Sequence, residues 1–278
     1  MKIDAHQHFW SLDRGDYGWL TPELAPLYRD FQPVDLAASL DQHDIRGTVL
    51  VQAAPTVAET HYMLSLAAQV LFIKGVVGWV DFTAADAPDV IAELAQNSYL
   101  VGLRPMIQDI PDDDWMLGDA LTPAFQSMAE AGLVFDALTL PRHLPNLFKL
   151  LDRHPDLNVV IDHGSKPSIA TGDIDGWAEE MKNLAKETNA SVKLSGLVTE
   201  AGAEWTTSRL RPYVDILLNS FGPARMIWGS DWPVCTLAST YDRWWNTTQT
   251  LLSELNGVDL AAIMGGNAIQ TYQLQMAK

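Results

Sequence analysis

Cysteine is almost absent from this sequence, since Cys235 is the only one among 278 residues. A single thiol cannot form a disulfide within the chain, which is typical of a protein from a reducing compartment. Apolar runs long enough to cross a bilayer are also missing. The first residues, MKIDAHQ, lack the apolar core of a secretory signal. These absences together predict a cytoplasmic protein without a membrane-spanning segment.

Basic residues are scarce: 18 lysines and arginines stand against 35 aspartates and glutamates, which gives a formal net charge of −17. A nucleic-acid surface needs a basic stripe, and docking on anionic membranes relies on basic clusters. We therefore expect neither of these partners. A small-molecule substrate is compatible with the charge, because one local arginine can outweigh the global field. The sequence does not predict an oligomeric state.

Low-complexity linkers and internal repeats are absent too, so residues 1–278 are interpreted as a single domain. Short apolar runs predict eight strands, and most have continuous apolar cores such as VLVQ, VVGWV and VVIDH. Such cores are typical of buried parallel strands, whereas half-exposed antiparallel strands alternate. The predicted strands are residues 2–8, 47–52, 74–81, 99–105, 132–138, 157–163, 191–196 and 225–231.

Helical patterns follow these strands in turn. They cover residues 34–43, 56–70, 88–96, 123–131, 145–153, 174–187, 208–220, 241–255 and 260–270. Thr56 followed by Glu59 at the start of the second pattern is typical of a capping box. A strand followed by a helix, repeated about eight times, implies right-handed βαβ units that close into a (β/α)8 TIM barrel. An open doubly wound sheet is the alternative.

Two loops are longer than barrel connections require. Residues 11–32 carry Tyr17, Trp19 and Tyr28, and residues 108–118 carry three consecutive aspartates, which we interpret as a solvated loop. Both loops follow strands, so they are predicted to lie over the C-terminal mouth of the barrel. Four histidines that fall on helices or at helix starts are expected at the surface: His43, His61, His143 and His154.

Polar side chains end nearly every predicted strand. In strand order they are His6 and His8, then Gln52, Trp79 with Asp81, Arg104, Asp136, Asp162 with His163, Lys193 with Ser195, and Asp231. Period-two alternation puts His6 and His8 on one side of the first strand, with Asp4 in the same phase. Because buried charges and imidazoles are costly unless paired or used, this set predicts a functional site at the mouth.

Three members of the set have simpler explanations that stay open. Arg104 could form a structural ion pair, for example with Asp81. Lys193 could belong to a buried ion pair, and Gln52 could bond a loop backbone. None of these alternatives would account for the histidines and Asp231 as a group.

The motifs DAHQHFW, GLRP, IDHGSKP, VKLSG and WGSDWPV, taken together and in this order, resemble the amidohydrolase superfamily. More closely, they resemble its lactonase branch, which includes sugar-acid lactonases for L-fuconate, L-rhamnonate and galactonate lactones and 2-pyrone-4,6-dicarboxylate lactonase. The resemblance extends over the whole chain, from the first strand to NAIQTY near the end. It implies a (β/α)8 barrel, in agreement with the pattern of strands and helices.

Metal-dependent members of the superfamily take further ligands from strand four, as a carboxylated lysine or glutamate, and from strand five, as a histidine. This chain has Arg104 at the first position and no histidine at the second, where the strand reads LVFDALT. A binuclear site is therefore not expected. The remaining His6, His8, His163 and Asp231 could hold one divalent ion such as zinc. The resemblance implies that no cofactor is required.

The residue types suit the hydrolysis of a lactone. Asp231 is the predicted general base that takes a proton from water, and the predicted donors to the carbonyl oxygen are His6, His8 and His163. The predicted substrate contacts are Arg104, Gln52, Trp79, Lys166 and Trp232. Few arginines besides Arg104 are placed near the mouth, which favours a neutral sugar-acid lactone over a dicarboxylate.

Two other classes of function compete with this prediction. A metal-dependent decarboxylase of the same superfamily would share the paired histidines and the aspartate. A non-catalytic sugar-binding protein would need no carboxylate to activate water. Chelation discriminates the first alternative from a lactonase, and replacement of Asp231 discriminates the second.

Overall fold

A computed structural model describes residues 1–276, and its centre is one sheet of eight parallel strands in sequential order. The strands are β1 (Lys2–Gln7), β2 (Ile45–Val51), β3 (Ile73–Gly78), β4 (Leu100–Leu103), β5 (Val134–Ala137), β6 (Asn158–Ile161), β7 (Ser191–Leu194) and β8 (Met226–Trp228). Their number and order agree with the prediction from sequence.

The sheet closes on itself at the end where the strands point. The backbone N–H of His8 donates to Trp232 O at 2.7 Å, and the N–H of Asp231 donates to His6 O at 2.8 Å. These bonds join β1 to the segment that follows β8. The (β/α)8 barrel is therefore confirmed, and the open doubly wound sheet is not observed.

Helices follow the strands in the order expected for βαβ units. They are α1 (Pro33–Gln42), α2 (Val57–Gln69), α3 (Ala87–Leu94), α4 (Thr122–Glu130), α5 (Leu144–Arg153), α6 (Asp175–Glu187), α7 (Leu197–Ala201), α8 (Thr207–Phe221), α9 (Tyr241–Leu251), α10 (Gly257–Ala261) and α11 (Asn267–Thr271). Among residues 1–276, no helix has both the length and the apolar character needed to span a membrane.

The last predicted helix, residues 260–270, is interrupted in the structure. A π-helical turn (Ala262–Gly266) separates α10 from α11. A Cβ atom on Gly265 would collide with the backbone of Met1, because this turn packs directly on the start of β1. The close approach of two backbones explains why the helix breaks at a glycine.

The predicted capping box at α2 is only half present. Thr56 accepts a hydrogen bond from the N–H of Glu59 at 3.0 Å, as expected. The Glu59 carboxylate instead accepts the N–H groups of Ala53 and Ala54, which precede the cap, at 2.7–3.1 Å. Glu59 therefore fixes the turn after β2, which forms one wall of the mouth.

All eight strands end one to three residues earlier than the apolar pattern predicts. β6 and β8 stop before His163 and Asp231, since both residues adopt left-handed backbone, with φ of 54° and 56°. A left-handed residue cannot continue a strand. Both side chains therefore come from tight turns at the mouth.

The first strand contains a register shift between Asp4 and Gln7. As a result the Asp4 carboxylate accepts a hydrogen bond from the hydroxyl of Tyr241 on α9 at 3.0 Å, outside the barrel. The side chain of His6 faces Lys193 and Asp162 instead. The prediction that Asp4 shares the side of the two histidines is therefore wrong, because the bulge changes the phase of the strand.

The barrel interior has a layered arrangement that supports the mouth. Its lower part is filled by apolar side chains: Ile3, Ala5, Val49, Val51, Val77, Val101, Val134, Val160, Ile227, Leu274 and the ring of Tyr272, whose hydroxyl reaches Asp136. Above this layer lies a buried group of charged side chains that includes Lys193, Asp136 and Asp162. The residues of the mouth rest on that charged group.

Candidate active site

The sequence-predicted aspartate and three histidines come together at the mouth. Oδ1 of Asp231 lies 3.4 Å from Nε2 of His8, 3.7 Å from Nε2 of His6 and 3.9 Å from Nε2 of His163. All four side chains are buried, with at most 4% of each residue exposed. One carboxylate oxygen therefore faces three imidazole nitrogens around a common point.

Glycines with close neighbours hold two of these imidazoles in place. A Cβ atom on Gly229 would lie 2.6 Å from Cβ of His6, and one on Gly196 would lie 2.6 Å from Nδ1 of His163. Gly196 also has a φ of +68°. The left-handed conformations of His163 and Asp231 add local strain, which is often found where function requires a fixed geometry.

The protonation states at the mouth follow from burial and from mutual charge. Burial lowers the pKa of His163 to about 4, although Asp231 and Asp162 oppose the shift. Burial and the ammonium group of Lys193 hold the pKa of His6 well below its ordinary value. Burial alone would raise the pKa of Asp231, but the surrounding imidazoles outweigh it and hold the pKa below its ordinary value. At neutral pH Asp231 is therefore ionised, and His6 and His163 are neutral.

Arg104 is bound to groups at the strand ends. Its NH1 donates to Oδ2 of Asp162 at 3.3 Å, and its NH2 donates to the carbonyl of Gln52. Asp81, suggested as its ion-pair partner, accepts hydrogen bonds from Thr83 instead. The structural ion pair therefore exists, but with an aspartate three strands away from the predicted one.

Lys193 belongs to a buried ion pair, which was one of the two explanations offered for it from the sequence. Its Nζ lies 2.5 Å from Oδ2 of Asp136 and 2.9 Å from Oδ1 of Asp162, and none of the three side chains is exposed. It also lies 3.1 Å from Nδ1 of His6. The charged layer is therefore in direct contact with the mouth.

A cavity of about 300 Å³ opens above this cluster, at the lower end of the range for ligand pockets. It is lined by His8, Trp19, Leu24, Ala53, Arg104, Met106, Gln108, Asp109, Leu138, His163, Lys166, Asp231, Val234 and Leu237. Predicted site residues that line it are His8, Arg104, His163, Lys166 and Asp231.

The remaining predicted substrate contacts have other surroundings. Nε2 of Gln52 donates to the backbone carbonyl of Arg104 at 2.7 Å. A bond to a loop backbone was the simpler explanation offered for this residue. Trp79 lines a neighbouring cavity of about 280 Å³. Trp232 packs edge-on against Phe9 and Phe31. For all three, contact with substrate stays a prediction.

Sequence reasoning did not assign Trp19, which lines the cavity from the loop after β1. Its indole Nε1 donates to Ala53 O at 2.7 Å, so the ring is held against the turn after β2. In the sequence, only the aromatic content of this loop indicated that one of its residues could line the cavity. Met106 and Gln108, which follow β4, gave no signal at all.

The acidic loop after β4 is exposed to solvent, as predicted, and it is also attached to the start of α5. Asp113 pairs with Nε of Arg142 at 2.7 Å and lies 3.2 Å from Nε2 of His143. Asn146 donates to the carbonyl of Asp113 and to the carboxylate of Asp114. His143 is fully buried, so its predicted surface position is wrong, because the loop folds over it.

One group of side chains at the mouth has the geometry of a metal site. Ligand atoms of His6, His163 and Asp231 all lie within 4.8 Å of one another. Tetrahedral zinc with bonds of about 2.1 Å separates its ligands by roughly 3.4 Å, so small movements would suffice. The guanidinium NH1 of Arg104, 3.3 Å from Nε2 of His6, adds a fixed positive charge beside that position. The three donors thus fit one metal ion, which would lie next to the guanidinium of Arg104.

The barrel, with paired histidines at the end of β1, a histidine after β6 and an aspartate after β8, defines an amidohydrolase. A family model described as amidohydrolase matches residues 3–274. The match covers nearly the whole chain, so this protein belongs to the amidohydrolase family.

Two curated relatives share one name. An L-fucono-1,5-lactonase of Burkholderia ambifaria is 44% identical over 98% of this chain and 96% of its own length. An L-fucono-1,5-lactonase of Burkholderia multivorans is 33% identical over 99% of this chain and 96% of its own length. The predicted resemblance to the lactonase branch is confirmed by these relatives.

A solved structure gives the same fold. An amidohydrolase from Burkholderia multivorans, crystallised with bound zinc, superposes with a TM-score of 0.93 at 32% identity, covering 99% of this chain and all of that one. Zinc is therefore bound in that relative.

Proposed function

We propose that this protein hydrolyses the ring ester of a sugar-acid lactone, with L-fucono-1,5-lactone as the particular substrate. The observation that carries the proposal is the ionised Asp231 among three imidazoles on the floor of a sugar-sized cavity. The names of both curated relatives support the choice of lactone. We further propose a cytoplasmic location, in keeping with the single buried thiol, Cys235.

The reaction begins with a water molecule beside Asp231. The pKa of this carboxyl lies below its ordinary value, so the group is ionised across the neutral range and has a lone pair available for a proton from water. As the water oxygen bonds to the lactone carbonyl carbon, its proton passes to Oδ1 of Asp231. The same proton then goes to the ring oxygen as the ester bond breaks, which restores the carboxylate.

The carbonyl oxygen gains negative charge during this attack and needs hydrogen-bond donors. His6 and His163 are neutral, and a neutral imidazole can donate from its Nε2–H without first losing a proton to solvent. These groups act from a buried site, where a donor stabilises charge more effectively than in water. The positive charge of Arg104 lies on the same side and adds to this stabilisation.

The group that fits one divalent ion is His6, His163 and Asp231. Such an ion would polarise the carbonyl oxygen and lower the pKa of a bound water. Because Asp231 and the imidazole donors supply both functions from the chain itself, we propose that a metal is not required.

The arginines near the mouth favour a neutral substrate. Arg14 pairs with Asp16 at 2.6 Å, and Arg142 pairs with Asp113, so neither lines the cavity. Arg104 is the only guanidinium among the lining residues. A dicarboxylate would be expected to require a second, bidentate arginine. Lys166, which pairs with Glu200 at 4.0 Å, lines the cavity and can contact hydroxyl groups of a sugar there.

A panel of lactones assayed with a pH indicator, before and after chelation, tests the proposal. We expect L-fucono-1,5-lactone to be opened fastest, followed by L-rhamnono- and galactonolactones, with rates unchanged after chelation to a metal content far below stoichiometric. Turnover of 2-pyrone-4,6-dicarboxylate alone would contradict the neutral substrate. Loss of activity on chelation, restored by zinc, would contradict metal independence and reopen the decarboxylase alternative.

Trp19 is predicted to provide the aromatic surface for the sugar ring. Replacement Trp19→Leu should raise KM about fivefold with little change in kcat, since an aromatic contact contributes about 1 kcal/mol. Trp79→Leu is the matched variant, because Trp79 was predicted from sequence but lines the neighbouring cavity. Steady-state kinetics on both variants measure these effects. If only Trp79→Leu raised KM, the aromatic surface would belong to Trp79 and not to Trp19.

A further inference from the structure

Glu59 is a fully buried carboxylate whose partners are backbone N–H groups. Its Oε1 accepts from the N–H of Ala53 at 3.1 Å, and its Oε2 accepts from the N–H groups of Ala53 and Ala54 at 3.0 and 2.7 Å. A buried carboxylate is costly unless it is bonded, and backbone donors to a charged acceptor form strong bonds. Glu59 is therefore firmly attached to the two residues that follow the end of β2 by one position.

These two N–H groups lie just outside the sheet. The backbone N–H of Gln52 still donates to Val77 O of β3, at 2.9 Å. Beyond Gln52, Glu59 takes the place of the neighbouring strand as the acceptor. Val51 O, which lies 2.7 Å from Nδ1 of His8, is on the sheet side of this boundary. Loss of the Glu59 carboxylate would therefore release the turn and leave the contact of His8 in place.

The same turn holds the indole of Trp19. Nε1 of Trp19 donates to Ala53 O at 2.7 Å, so the backbone of Ala53 connects Glu59 to this ring. Ala53 and Trp19 both line the cavity above Asp231, whereas Glu59 does not. The loop that carries Trp19 has a separate attachment, because Asp16 accepts from the hydroxyl of Thr56 at 3.0 Å. Glu59 can thus fix the position of the ring without contacting the cavity.

We propose that Glu59 is a positioning residue for substrate affinity, whose carboxylate fixes the carbonyl of Ala53 so that the ring of Trp19 lies against the sugar. Its effect on substrate rests on the proposed lactone hydrolysis. An interaction that is equally strong in the bound substrate and in the transition state changes KM and leaves kcat unaffected. A purely structural Glu59 would contribute to stability and would influence neither KM nor the surroundings of Trp19.

Thr60, the next residue of α2, provides a matched control. Its buried hydroxyl accepts from the N–H of Trp79 at 2.8 Å and donates to Trp79 O at 2.9 Å. It fixes the residue after β3 in the way that Glu59 fixes the turn after β2. Trp79 lines the neighbouring cavity and not the one above Asp231. Thr60→Val, which keeps the shape and removes both bonds, should lower stability and leave KM unchanged.

Steady-state kinetics with L-fucono-1,5-lactone are the first readout. Glu59→Leu removes every bond from this side chain to the turn, and it should raise KM about threefold to fivefold with kcat within about twofold. In a Trp19→Leu background the same replacement should change KM by less than about 1.5-fold, because the ring that Glu59 positions is gone. An unchanged KM in Glu59→Leu, an equal factor in both backgrounds, or an equal rise in Thr60→Val would overturn the proposal.

Fluorine NMR of protein labelled with fluorotryptophan is the second readout, and it requires no turnover. The chain has ten tryptophans, and the resonances of Trp19 and Trp79 are assigned from their replacements by leucine. We expect Glu59→Leu to shift or broaden the Trp19 resonance and to leave that of Trp79 in place. Thr60→Val should have the opposite pattern. An unmoved Trp19 resonance in Glu59→Leu would also overturn the proposal.

Glu59→Gln keeps the shape of the side chain and one acceptor oxygen. Its Trp19 resonance should therefore move in the same direction as in Glu59→Leu but by less, and it becomes the test variant if Glu59→Leu does not fold. An inactive wild type would contradict the proposed lactone hydrolysis. The Trp19 resonance would then still decide whether Glu59 positions the ring.

Discussion

The Asp231→Asn variant is expected to lose about a thousandfold in kcat for lactone opening while retaining affinity for the sugar acid. An amide has nearly the same shape as the carboxylate but cannot accept a proton from water. The backbone N–H of Asp231 still donates to His6 O, so the closure of the barrel is preserved. Initial rates with L-fucono-1,5-lactone, and calorimetric titration with its hydrolysis product, measure the two quantities.

Asp109→Asn is the matched control for this experiment. Asp109 lines the same cavity and undergoes the same chemical change, but it is exposed and lies on the loop after β4. Its variant should keep kcat within about threefold, since a solvated charge at the rim contributes little. A decrease of less than tenfold in Asp231→Asn would show that another group is the base. A non-catalytic sugar-binding protein would bind the sugar acid equally well in all forms and would show no turnover in any of them.

Strand order and the identity of the central residues could be predicted because both depend on local patterns. Continuous apolar runs define parallel strands, and the C-terminal ends of such strands meet at one mouth. His6, His8, His163 and Asp231 therefore had to converge once the eight strands were recognised. Distances among them followed from the barrel and not from any motif.

Other features depended on contacts between distant parts of the chain. Asp162, not Asp81, pairs with Arg104, because the Arg104 side chain reaches past β5 to the residue that follows β6. The bulge in β1 that turns Asp4 outward contains no glycine or proline that would indicate it in the sequence. Trp19 is held at the cavity by a backbone carbonyl of the turn after β2, a partner that sequence cannot reveal.

The left-handed turns at the mouth are another feature that the sequence did not predict. His163 and Asp231 adopt positive φ without being glycine, which costs roughly 1–2 kcal/mol each and is not favoured by their local sequence. Bonds from neighbouring strands, such as those that join residues after β8 to β1, must offset this cost. The positions of both catalytic candidates therefore depend on the closed barrel as a whole.

Gly196 offers a test of how strongly function depends on that geometry. Replacement Gly196→Ala is expected to lower kcat on the order of a hundredfold, because even a 1 Å displacement of a catalytic group has effects of this size. The added Cβ would lie 2.6 Å from Nδ1 and 2.7 Å from Cγ of His163, so the ring must move. Its bond from Nδ1 to Ser195 Oγ, 2.8 Å long, would be lost in the process.

The same replacement should also lower the free energy of unfolding, by about 1 kcal/mol for the left-handed backbone and more for the collision. Gly15→Ala separates the two contributions, since Gly15 has a φ of 71° and a ψ of 7° close to those of Gly196, and an added Cβ there would meet no neighbour within 4 Å. It should lose about 1 kcal/mol and keep full activity. Denaturant unfolding and steady-state kinetics measure both effects. Equal losses of activity in the two variants would mean that backbone strain, and not the position of His163, limits the reaction.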